Sequence, residues 1–150
     1  MIKWISKINI GKLVLVGIIY TVVATVIHQI EAMFTMKYYL DPAYFGLWSK
    51  LMMPTAGPPP AAFFITSAIL TLASGISLGL IYYYIRDMLP AKFWPRVFFF
   101  TDLMIATSFI FSTLPMYLMF NVPGGILVSW FISSFVILLV SAYAFVKILK

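Results

Sequence analysis

LVLVGIIYTVVATVIHQIEAMF, Leu13 to Phe34, decides the fold. The hydrocarbon core of a bilayer is about 30 Å thick and a helix rises about 1.5 Å per residue, so one crossing needs roughly 20 consecutive apolar residues. This stretch has that length and carries no charge before Glu31. Three further runs qualify: Ala61 to Ile85, Val97 to Phe120 and Gly125 to Val146. The composition agrees, with 63% hydrophobic and 9% charged residues, where an ordinary soluble domain carries about a quarter charged. The expected fold is all-α: an integral membrane four-helix bundle, a single transmembrane domain over residues 1–150 with helices at about 13–34, 61–85, 97–120 and 125–146.

The start, Met1 to Ile10 with Lys3 and Lys7, has the charge of a signal-peptide leader, but the apolar run after it is too long and no small-residue cleavage site follows. The first helix is therefore expected to stay in the mature protein. The net charge of +6 raises nucleic acid as a partner, yet in a membrane protein basic residues report orientation. Lys3, Lys7, Lys12, Arg86, Lys92, Arg96, Lys147 and Lys150 fall on one side of four crossings, and only Lys37 and Lys50 on the other. The positive-inside rule makes the richer side cytoplasmic, with both termini there. The expected partners are the lipid bilayer and, within it, other membrane subunits or a second copy, and no nucleic acid. The expected location is the cell membrane of a prokaryote, as a multi-pass protein.

The links after the second and third runs are short, which makes successive helices antiparallel neighbours. The first link, Phe34 to Pro58, is longer and aromatic, with Tyr38, Tyr39, Tyr44, Phe45 and Trp48. Asp41 before Pro42 is a helix start, because the carboxylate accepts from free N–H groups and proline fits the first turn. A short amphipathic helix over about 42–53 is expected to lie in the outer headgroup region, ended by Pro54. Pro58, Pro59 and Pro60 then make a stiff connector.

Helices in lipid associate through small residues and through polar side chains that bond across, so these residues mark the inward faces. In the first helix Gly17, Thr21, Ala24, His28, Glu31 and Thr35 follow one another at alternating spacings of four and three, a single stripe. In the second, Ser67, Thr71, Gly75 and Gly79 recur at every fourth position and end in a GxxxG, suited to close packing within the chain or between protomers. Ser129, Ser133 and Ala144 serve similarly in the fourth.

Ionisable groups inside a span are costly and are functional candidates by default. At 1.5 Å per residue His28 and Glu31 sit roughly 22 and 27 Å from the cytoplasmic end of the first helix, and Asp102 only about 8 Å from that of the third. They do not meet. Asp102 is level with Lys12, Arg86 and Lys147, a candidate inner-end ion pair, with Tyr82 and Tyr143 beside it. Glu31 and His28 share their depth with Ser67, Ser112, Tyr117 and Asn121, a candidate outer polar pocket. Two readings of that pocket stand side by side: a proton- or cation-binding site in which His28 changes protonation near neutral pH, and a hydrogen-bonded structural pair.

Met33, Met36, Met52, Met53, Met116 and Met119 gather on the outer side, and thioethers with an imidazole suit Cu(I). Methionine also fills gaps in apolar surfaces, and these six lack the short regular spacing of a copper site. No metal or cofactor is expected. There is no cysteine, which removes disulfides, thiolate metal sites and the chemistry of small four-helix quinone-linked oxidoreductases. One histidine rules out a His-rich centre, and no GxSxG, HExxH or phosphate-binding glycine loop occurs.

Ile8, Asn9, Ile10, Gly11 and Lys12, ahead of the first span, together with the helix spacing, resemble uncharacterised small four-helix membrane proteins of prokaryotes. The resemblance implies a fold and carries no activity or site. The functional expectation is a non-enzymatic accessory or assembly subunit of a membrane complex. The alternatives are a small proton- or cation-coupled transporter using Glu31 and His28, and a copper-handling membrane protein.

Overall fold

The structure, a computed structural model, describes residues 8–44, 46–47 and 61–149. Among these, four helices are long and apolar enough to cross a membrane. They are α1 (Ile10–Tyr39), α2 (Ala61–Ile85), α3 (Phe93–Met119) and α4 (Gly124–Ile148). Short 3₁₀ turns occupy Pro42–Tyr44 and Arg86–Met88.

Two helices extend beyond their apolar runs. α1 begins at Ile10 because Asn9 caps it, the side-chain oxygen accepting from the Lys12 N–H at 3.1 Å, and it runs on to Tyr39. α3 begins at Phe93, ahead of Val97, because Pro95 sits in a first turn that needs no intrahelical donor there. In the first link Asp41 accepts from the Ala43 N–H at 2.9 Å and opens the 3₁₀ turn. The rest of the helix expected over 42–53, with Trp48, Lys50, Met52, Met53 and Pro54, lies largely outside the described residues, as does the run Pro58 to Pro60.

α1 packs along both α2 and α4, and α3 packs along α4. α2 and α3 share no extended contact; their side chains meet where Tyr82 stands edge-on to Phe100, ring centroids 5.3 Å apart. Phe145 of α4 completes this group at 6.1 Å from Phe100 and 6.3 Å from Tyr82. Leu13, Val16, Val97, Ala142, Val146 and Leu149 surround it and form the larger core. It lies at the end carrying Lys12, Arg86, Lys92, Arg96 and Lys147, hereafter the basic end. A smaller core of Val122, Ile126 and Leu127 closes the far end against Tyr38, Tyr44 and Leu47.

Glycine sets the α1–α2 distance. A Cβ on Gly75 would stand 2.7 Å from Tyr20 Cβ and 3.0 Å from Gly17 Cα, and one on Gly17 would stand 2.7 Å from Ile76 Cγ1. Beyond this crossing α2 leaves its neighbour: every residue from Ala62 to Leu70 is exposed. α3 is regular to Ser108, widens into a π turn over Phe109–Thr113, and resumes at Leu114. Pro115 explains the turn. It has no N–H to give and its ring collides with the carbonyl one turn back, so the chain takes one residue more per turn, and the Leu114 N–H reaches the Phe109 carbonyl.

Candidate functional site

Glu31 lies in the far half of α1, 7% exposed, on the side that meets α4. Its Oε1 accepts from Ser129 Oγ at 2.9 Å and from Thr35 Oγ1 at 2.8 Å. Thr35, one turn further along, also lies 3.0 Å from the Glu31 carbonyl oxygen, so its single proton is shared between the two acceptors. Another polar bridge lies nearer the far end, where Trp130 Nε1 donates to the Tyr39 hydroxyl at 3.2 Å.

A cavity of about 250 Å³ opens beside this carboxylate. Ile27, Ile30, Phe34, Ile132 and Val136 make it mostly apolar, with Glu31, Ser129 and Ser133 as its polar wall. Its chemistry is that of a hydrogen-bond acceptor at the base of a hydrocarbon groove.

The other residues singled out from the sequence lie apart from it. His28 is exposed on α1, and Ser67 is exposed on α2. Ser112, Tyr117 and Asn121 are exposed at the far end of α3 and the link after it. None of these four is hydrogen-bonded to Glu31 or His28 among the described residues. Ser129, the residue that does reach Glu31, follows from depth: it stands about 7.5 Å into α4, which runs antiparallel to the last turns of α1.

At the basic end, Arg86 donates to the Leu149 carbonyl at 3.2 Å, lies 3.7 Å from Asp87, and covers the Tyr83 ring at 4.1 Å. Lys147 lies over Tyr143 at 5.7 Å, Arg96 donates to the Pro90 carbonyl at 2.8 Å, and Lys12 is exposed. Asp102 joins none of them. It is exposed, with no hydrogen bond or ion pair among the described residues, while Val97, Phe100, Thr101 and Ile105 make the buried face of its helix.

Along the small-residue stripe Gly17 and Ala24 are buried, and Thr21 donates to the Gly17 carbonyl at 2.9 Å. Gly79 faces Val16 and Leu13. Of the methionines, Met33, Met36 and Met119 are exposed and Met116 is half-buried. No group of three histidine, aspartate or glutamate side chains is placed to hold a metal ion among the described residues.

No known protein family, no curated protein and no solved structure matches this chain.

Proposed function

We propose that this chain is a non-enzymatic accessory or assembly subunit of a prokaryotic cell membrane, with both termini cytoplasmic and the aromatic first link lying in the outer headgroup layer. One observation carries the reading: His28, Gln29 and Asp102 are exposed in the middle turns of otherwise apolar helices. In hydrocarbon such groups are costly, an acidic or basic side chain at a helix centre by about 2.5–3.5 kcal/mol on insertion scales, and they are normally turned toward protein or a water-filled path. A partner that packs against these faces removes that cost. Purification from native membranes in mild detergent tests it. A companion in fixed stoichiometry is expected, and a solitary monomer would overturn the reading.

A second reading is favoured by the cavity beside Glu31: a small cation- or proton-coupled transporter in which Glu31 takes the ion. It predicts pH-dependent flux in liposomes that Glu31→Gln abolishes; unchanged flux removes it. Nothing in the placement of the described methionines favours the copper reading, and exposure to Cu(I) followed by metal analysis disposes of it if no copper is retained.

A further inference from the structure

The accessory-subunit reading is the basis here, and what is added is the chemistry of the partner at one face. Because α3 starts at Phe93, Asp102 stands about 13 Å beyond that start and about 6 Å short of the midpoint of Phe93–Met119, at 1.5 Å per residue. With that midpoint at the centre of a hydrocarbon core about 30 Å thick, Asp102 lies about 9 Å inside its edge, farther than its short side chain reaches. It also points away from the array. One turn to either side on the same face lie Phe98 and Ala106, both exposed, while Phe109 beyond them turns edge-on to Phe131 of α4, ring centroids 5.9 Å apart.

No cation of the described chain serves Asp102. Lys12, Lys37, Arg96 and Lys147 lie in terminal turns of their helices, and Arg86 and Lys92 lie in the link between α2 and α3. Arg86 and Arg96 are already engaged with carbonyl groups. A second copy in the same orientation has its described cations at the same wrong depths. Its His28 stands on the other side of the midplane, about 11 Å from the level of Asp102.

We infer that the face of α3 formed by Phe98, Asp102 and Ala106 docks a transmembrane helix of a different protein, one that carries a lysine or arginine about 6 Å to the basic-end side of its own midpoint. Asp102 is the counter-charge. Ala106, one turn on, lets the partner backbone come close, and Phe98 flanks the pair on the basic-end side.

Purified protein reconstituted in liposomes is titrated with a synthetic leucine–alanine spanning peptide bearing one lysine at that depth, with association read by energy transfer. Two control peptides carry leucine at the same position, or the lysine in the terminal turn. The depth-matched lysine peptide is expected to bind about tenfold more tightly than either control, within the range measured for polar pairs in membranes. Asp102→Asn brings it down to the leucine level and Asp102→Glu keeps the preference. Equal binding of the three peptides to the unaltered protein overturns the inference without any variant being needed, and so does an unchanged preference in a folded Asp102→Asn. In native membranes, a companion that stays bound to Asp102→Asn overturns this pairing and leaves the subunit reading standing. A solitary monomer overturns the subunit reading itself.

Discussion

Gly75→Ala should loosen the α1–α2 crossing, and the structure sets the size of the effect. The added Cβ would lie 2.7 Å from Tyr20 Cβ and 3.0 Å from Gly17 Cα, where carbon atoms rest at about 3.5–4.0 Å. Both obstacles are fixed to the α1 backbone, so no side-chain rotation relieves them. The helices must separate by roughly 0.5–1 Å, and a gap of that size forfeits about a quarter to a half of each dispersion contact along the seam. Overpacking of this kind costs about 1–3 kcal/mol, offset by up to about 1 kcal/mol from the better helix propensity of alanine. With the full offset the net expectation is a loss of up to about 2 kcal/mol.

Gly79→Ala is the internal control. Its Cβ would meet Val16 Cγ2 at 3.0 Å and Leu13 Cδ2 at 3.4 Å, side-chain methyls of the core rather than backbone-fixed atoms, so with the propensity gain its loss should be smaller than that of Gly75→Ala. Unfolding in mixed micelles by a denaturing detergent, followed by tryptophan fluorescence, reads both. If Gly75→Ala proves as stable as the unaltered protein, or if Gly79→Ala loses as much, the glycine seam does not set the distance between these helices.

Three further expectations follow from single contacts. A double-mutant cycle of Glu31→Ala with Ser129→Ala should give a coupling of about 0.6–1.7 kcal/mol, the range for interhelical hydrogen bonds in membranes; zero coupling would show that the 2.9 Å contact contributes nothing. Ser141→Ala removes a buried hydroxyl that has no hydrogen-bond partner among the described residues, so it should leave unfolding stability unchanged or raise it by up to about 1 kcal/mol, and a loss on that scale would reveal a hidden partner. Pro115→Ala restores a donor at the start of Leu114–Met119 and should convert the π turn into regular helix, with the Leu114 N–H returning to the Ile110 carbonyl; a π turn that persists in the variant's structure would mean that packing, not proline, holds it.

Hydropathy made the four spans legible because a crossing needs little beyond length and greasiness, and the Asp41 cap was legible because a carboxylate before proline has few other uses. The ends of the helices were less so. Asn9 and the first-turn Pro95 are start signals lying outside the apolar runs. Spacing within α1 does not reveal the Glu31 partner: Ser129 lies on α4, about 7.5 Å from its start, and comes opposite Glu31 only through the packing of α4 on α1.

His28 shows where a spacing rule stops working. Residues three apart on a helix differ by about 60° in direction, at 3.6 residues per turn, so a stripe defined by steps of three and four is a band wide enough for its members to face different neighbours. Glu31 falls on the edge of that band turned to α4, where Ser129 meets it. His28 falls on the edge that continues from Gly17, which is covered by α2 only as far as the glycine crossing; past it α2 exposes every residue from Ala62 to Leu70. The sequence pattern of α1 is the same on both sides of that point, so the difference between a buried glutamate and an exposed histidine is decided by the path of another helix. Asp102 obeys the same logic from the opposite side. Its helix offers one packed face, used up by Val97, Phe100, Thr101 and Ile105, and a charge placed off that face finds no counterpart among the described residues.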